Sequence, residues 1–129
     1  MPLLERLLLR GHIDRIKPAD QDISTALDGH WTAESVVLFV GAVGAVTRLI
    51  AARIQGKEKD PAVLVLDPKG EFIIPLLGGH SAGAEQRARE IAMDLGGQAV
   101  ITGACAHEGR LPLDAFGESW GWKRRGSLV

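Results

Sequence analysis

The chain is poor in the residues that mark several large classes of protein. It has one cysteine, Cys105, so no disulfide can form within it, and that usage fits a reducing cytoplasm. No apolar run approaches the ~20 residues that a membrane-crossing helix needs. Glu5, Arg6 and Arg10 make the N-terminus too charged to read as a secretory signal. Neither sign of charge dominates: 15 basic and 16 acidic side chains leave a net charge of -1, which gives no global pull toward nucleic acid or an anionic membrane. Lys123-Arg124-Arg125 alone is too short a basic run to change that. His12, His30 and His107 stand singly, at no metal-ligand spacing, so they read as surface residues and no resident metal is expected. Gly41-x-x-Gly44 lacks the rest of a dinucleotide fingerprint, and no G-x-x-x-x-G-K phosphate loop occurs. There is no internal repeat and no low-complexity segment.

What the chain does have is enough apolar residue, 46% of 129, to build one domain with a real core. The pattern alternates along its length. Leu3–Leu9 reads as a helix, His12–Lys17 as a short strand and Asp20–Leu27 as a weak helix. Ser35–Val40 is a continuous apolar run of strand length, the signature of a strand buried on both faces. After Gly41-Ala42-Val43-Gly44 a helix runs to about Ile54, with Val43, Val46, Ile50 and Ile54 on its apolar face. Ala62–Leu66 and Glu71–Leu76 flank Asp67-Pro68-Lys69-Gly70, a turn with proline second and glycine fourth, and so form a hairpin. Ser81–Leu95 is the clearest helix, with Ala84, Ala88, Ile91, Ala92 and Leu95 as its buried stripe and Gly96-Gly97 as its stop. Ala99–Thr102 reads as a strand, Pro112–Trp120 as a short helix closing the core with Trp120 and Trp122, and 121–129 as a loose tail.

Strands alternating with helices predict an α/β domain: a Rossmann-like three-layer sandwich whose sheet is mostly parallel, with one antiparallel hairpin. Ligands of such sheets sit where strand meets helix beyond the strand's carboxyl end. Two glycine-marked junctions qualify, Gly41–Gly44 and Gly78–Gly83, and they are expected to frame one site. The second carries His80 at the expected mouth of the Ser81 helix, where free N–H groups suit an anion and a neutral imidazole can accept a proton. Ser81 reads as that helix's N-cap, and Glu85, one turn in, as an acid favoured by the helix dipole. Asp67 reads as the residue that starts the hairpin turn, and Cys105 as packing.

Several segments together resemble the N-terminal domain of the CbiG family of cobalamin-biosynthesis proteins, the cobalt-precorrin-5A hydrolases. They are Val43-Gly44-Ala45-Val46-x-Arg48-Leu49-Ile50, Asp60-Pro61-Ala62-Val63, Leu66-Asp67-x-x-Gly70, Leu76-Leu77-Gly78-Gly79-His80, Gly83-Ala84, Ala88-Arg89 and Val100-Ile101-Thr102. The ending Gly121-Trp122-Lys123-Arg124 is similar to the form fused to a precorrin methyltransferase in cyanobacteria. The chain departs from the family's usual residues at Ala82, at Glu85 (usually an amide) and at Gly103-Ala104-Cys105, and it starts at the first helix where the family has a preceding strand.

The resemblance implies a reaction on the route to the corrin ring. Water adds to a lactone carbonyl of the cobalt-precorrin, the lactone opens and a two-carbon fragment leaves as acetaldehyde. The cobalt belongs to the substrate, so no cofactor is expected. His80 is the catalytic candidate, as general base or as a ligand to the substrate; its alternative is a ring that caps the helix. Gly44, Arg48, Gly78, Gly79, Ser81 and Gly83 are the candidate substrate-binding residues. Arg48 would clamp a carboxylate, or else pair with Asp60; the glycines would admit substrate to the backbone, or serve turn geometry alone. Two other readings stand beside the hydrolase. One is a non-catalytic tetrapyrrole-binding module that works with a precorrin methyltransferase or with further CbiG domains. The other is a structural fragment whose missing first strand leaves a sheet edge open to homodimerisation.

Overall fold

The computed structural model describes residues 2–78 and 83–102. Helix α1 (Pro2–Leu9) is followed by an irregular segment, helix α2 (Ile23–His30), strand β1 (Val36–Val40), helix α3 (Val43–Ile50) with a 3-10 turn at Ala51–Arg53, strands β2 (Ala62–Leu66) and β3 (Phe72–Leu77), helix α4 (Ala84–Leu95) and strand β4 (Gln98–Ala99). The expected helix at 112–120, the tail at 121–129, Cys105, His107 and both C-terminal tryptophans lie outside the described residues.

Among the described residues the sheet has the order β1-β2-β3-β4. β1 and β2 run parallel, the hairpin makes β3 antiparallel to β2, and β4 runs parallel to β3. β2 separates two cores because its side chains alternate. Ala62, Leu64 and Leu66 pack with Leu7 of α1 and with Ala84, Ala88, Ile91 and Ala92 of α4. Val63 and Val65 pack on the other face with Leu27 of α2 and with Val46 and Ile50 of α3. These are the three layers expected from the alternating pattern.

The hairpin is closed as its sequence demands. The Gly70 N–H donates to the Asp67 carbonyl at 2.9 Å, and the Asp67 carboxylate accepts from the Phe72 N–H at 2.6 Å and the Lys69 N–H at 3.2 Å. Those bonds, led by that from Phe72, hold the Asp67 carboxyl below its ordinary range. Asp22 caps α2 by accepting from the Thr25 N–H and hydroxyl, both at 3.1 Å, so that helix starts later than expected and runs on to His30.

Five expectations need correction. His12–Lys17 is not a strand: its two strong apolar residues, Ile13 and Ile16, are three apart and cannot share one face of a strand, and Gly11 (φ +81°) turns the chain after α1. β1 is not buried on both faces but half-buried along its whole length, because it is an edge and β2 is the central strand. Ile54 leaves the apolar face of α3 and is exposed, since α-helical winding stops at Ile50 and the following 3-10 turn changes the angle per residue. α4 starts at Ala84 rather than Ser81, with Gly83 (φ +80°) as its N-cap. β4 covers Gln98–Ala99 rather than 99–102, although the Val100 N–H still donates to the Ile73 carbonyl at 2.9 Å.

Candidate functional site

The first junction lies at the carboxyl ends of β1 and β2. There the Gly41 N–H donates to the Leu66 carbonyl at 2.8 Å, which carries the sheet one residue past β1 before the chain turns into α3. α3 has no side-chain cap: its N-cap is Ala42, in extended conformation. Arg48 lies one turn after Gly44, and helical side chains lean toward the N-terminus. Its Nη1 is 3.8 Å from where a Cβ on Gly44 would stand. That is ordinary van der Waals distance, so the guanidinium lies beside Gly44 without requiring glycine there; it is exposed and makes no hydrogen bond or ion pair among the described residues. The alternative pairing of Arg48 with Asp60 does not occur. The Asp60 carboxylate instead accepts from Trp31 Nε1 at 3.1 Å, the Gln55 N–H at 2.9 Å and the Gly56 N–H at 3.1 Å.

The second junction leaves the carboxyl end of β3. Gly78 (φ +70°) turns out of the strand, and its carbonyl accepts from the Ala84 N–H at 3.1 Å. The loop is therefore tied off at its base by the first residue of α4. Gly79, His80, Ser81 and Ala82 lie outside the described residues. The expectation that His80 stands directly at the helix mouth presupposed a helix starting at Ser81, and α4 starts three residues later.

The two junctions are not neighbours. Val40 is level with Leu66 and Ile73, whereas Leu77 is level with Val63. Because the hairpin reverses β3, whatever follows β3 emerges at the opposite end of the sheet from whatever follows β1. At ~3.3 Å per residue the levels of Leu66 and Val63 differ by about 10 Å. Gly44 and Arg48 share one end; Gly78 and Gly83 share the other.

Two acids named from the sequence for other reasons prove to be buried. Asp60 and Glu85 are 6% and 7% exposed. Asp60 is a tie between the α2–β1 connection and the entry to β2, and the signal for it was an acid directly before Pro61 and an apolar strand. Glu85, in the first turn of α4, is buried, as Ala84 and Ala88 of the same helix are. His12, expected at the surface, is mostly buried: its Nε2 lies 2.6 Å from Asp94 Oδ2, and Arg10 Nη2 lies 2.7 Å from Asp94 Oδ1. Among the described residues, no group of three or more His, Cys, Asp or Glu side chains could hold a metal ion. Nor is any helix among them long and apolar enough to cross a membrane.

Similarity to known proteins covers both junctions. The family described as cobalamin synthesis G N-terminal matches residues 25–105. A cobalt-precorrin-5A hydrolase of Priestia megaterium is 42% identical over 86 residues, which is 67% of this chain and 23% of that protein. One from Salmonella typhimurium is 37% identical over 87 residues, again 67% of this chain and 25% of that protein. A solved structure described as a cobalamin biosynthesis protein G homolog from Sulfolobus solfataricus superposes with a TM-score of 0.63 at 32% identity, over 78% of this chain and 31% of its own. The chain spans about a quarter of the length of the curated relatives it matches.

Proposed function

Because the chain belongs to the cobalamin synthesis G N-terminal family, we propose that it acts in corrin biosynthesis as the N-terminal domain of a hydrolase that opens the lactone of cobalt-precorrin-5A with release of acetaldehyde. The observation that carries this reading is the match over residues 25–105, which spans both glycine junctions and the sheet between them. The reaction belongs at the Gly78–Gly83 loop. His80 takes a proton from the attacking water there, and Gly78, Gly79, Ser81 and Gly83 admit the macrocycle to the backbone. Water oxygen adds to the lactone carbonyl and the acyl–oxygen bond breaks; the released alkoxide then becomes the carbonyl of acetaldehyde as its carbon–carbon bond to the ring breaks, and the macrocycle takes up that electron pair and a proton. Cobalt is carried by the substrate, and no further cofactor enters.

Arg48 and Gly44 stand at the other end of the sheet, so they serve a peripheral carboxylate of the substrate or of a neighbouring domain rather than the reacting lactone. Protein partners in this reading are the remaining domains of a CbiG protein or a precorrin methyltransferase, in the cytoplasm. A second reading, a tetrapyrrole-binding module without chemistry, is favoured by the departures from the family's usual residues at Ala82 and Glu85, beside the candidate base. An acetaldehyde assay with cobalt-precorrin-5A separates the two. Release by the chain, alone or with the remaining hydrolase domains, and its loss in a folded His80→Ala variant support the hydrolase. Binding seen by absorbance titration without any acetaldehyde supports the module, and no binding at all rejects both.

A further inference from the structure

The turn at residues 56–60 is held in one shape by bonds at both of its ends. The Lys59 and Asp60 N–H groups donate to the Gly56 carbonyl at 3.1 and 3.0 Å, so the chain folds back on itself there. The buried Asp60 carboxylate then fixes the base of the turn: it accepts from the Gln55 N–H at 2.9 Å, the Gly56 N–H at 3.1 Å and Trp31 Nε1 at 3.1 Å. With its oxygens engaged in this way, Asp60 is not available to neutralise Lys59, its neighbour in sequence. Lys57 and Lys59 are exposed, and neither ammonium makes a hydrogen bond or ion pair among the described residues. A preorganised backbone thus displays two cations two residues apart, which lowers the ordering cost of a contact made through them.

The strand register puts this turn at a definite end of the sheet. Ala62 is level with Val36 and Val63 with Leu77, so the turn enters β2 where β3 ends. Gly78 follows Leu77, and its bond from the Ala84 N–H, at 3.1 Å, keeps the start of α4 at the same end. β2 and β3 are neighbours, and Lys59 lies three residues before Ala62. With strands ~4.8 Å apart and ~3.3 Å per residue, the Lys59 backbone stands on the order of 10 Å from Gly78. A lysine side chain and a carboxylate arm of a macrocycle together span that gap. The chain comes to the turn from α3, on one face of the sheet, and goes from Gly78 to α4, on the other. A flat ligand laid across this end of the sheet therefore meets both. Lys69, on the hairpin turn after β2, stands at the opposite end with Arg48.

From this we infer that Lys57 and Lys59 bind carboxylate arms of the macrocycle held at the Gly78 end of the sheet, and so select a polyanionic substrate. The inference rests on the reading of cobalt-precorrin-5A as the ligand, whether or not the chain performs the chemistry. Absorbance titration with cobalt-precorrin-5A tests it, on the chain alone or with the remaining hydrolase domains, in a His80→Ala background so that turnover does not intrude. Lys57→Gln and Lys59→Gln each raise the dissociation constant about twofold to fivefold at low salt, and the loss shrinks as salt is added. Glu58→Gln, which removes the negative charge between them, lowers it. A turn that were merely structural would give no such reversal of sign. Lys69→Gln leaves the constant unchanged, which separates a local contact from the effect of net charge. Unchanged affinity in the folded Lys57→Gln/Lys59→Gln double variant overturns this inference alone, as does an equal loss in Lys69→Gln. A wild-type chain that binds no cobalt-precorrin-5A overturns the hydrolase and module readings and this inference with them.

Discussion

Asp60 illustrates how one side chain can hold several segments. Its two oxygens meet three donors, from Trp31, Gln55 and Gly56, inside a region where an unmet donor is expensive. Asp60→Asn is therefore not conservative: whichever way the amide is placed, its NH2 faces an N–H. A destabilisation of about 2–4 kcal/mol is expected, read from the urea midpoint. Asp94 gives a prediction in pH. Its carboxyl is held below the ordinary range chiefly by the hydrogen bond from His12, with Arg10 and Arg6 adding to it. A lowered folded-state value stabilises the protein above the unfolded value, and that contribution is lost as pH falls through the folded one. Asp94→Asn should thus lower the melting temperature near neutral pH, with the gap to wild type closing on acidification; a constant gap would refute the assignment. Asp67 and the hairpin were legible in the sequence because turn chemistry acts over three to five residues, whereas the Asp22 cap, of the same range, was not read and the start of α2 was placed too early. The buried state of Asp60 and Glu85 was not legible, since it depends on elements far along the chain.

At the scale of elements, the apolar periods placed every helix and strand of the described core except the segment after α1. Errors fell at ends, where a single glycine decides. Gly83 starts α4 with φ +80°, and Gly96 ends it with φ +73°, after which the Gly97 N–H donates to the Ala92 carbonyl at 2.9 Å. Gly97 is needed for space: a Cβ there would stand 2.6 Å from the Gly70 carbonyl oxygen and 2.8 Å from that of Glu71. Backbone on both sides leaves little room to yield. Gly97→Ala should cost about 3 kcal/mol by displacing α4 from the hairpin. At Gly83 nothing lies within 4 Å of the added Cβ, so only the left-handed backbone opposes substitution. Gly83→Ala should cost about 1–2 kcal/mol. Denaturant unfolding of both variants checks the order, and equal costs would contradict the close approach at Gly97.

For the molecule as a whole, the direction of β3 organises everything else. It places Gly44 and Arg48 at one end of the sheet and Gly78 and Gly83 at the other. Under the hydrolase reading, the two ends should separate kinetically. Arg48→Ala should raise KM for cobalt-precorrin-5A with kcat little changed, as expected for a contact equal in ground and transition states. His80→Ala should depress kcat instead, by roughly 100-fold or more for a lost general base. Equal losses of kcat in both would bring Arg48 back to the reacting centre.

The sequence alone determined the local elements, the hairpin, the layering and the kinship, because caps, turns and apolar periods are written in neighbouring residues. It also contained both glycine junctions. Only the tertiary structure decided that their described flanks lie at opposite ends of the sheet, that β1 is the outer strand among the described residues and that two acids are buried. Each of those depends on which strands lie side by side and in which direction. The reversal of a single strand at Asp67–Gly70 exchanges one end of the sheet for the other, while the residues that flank each junction stay the same.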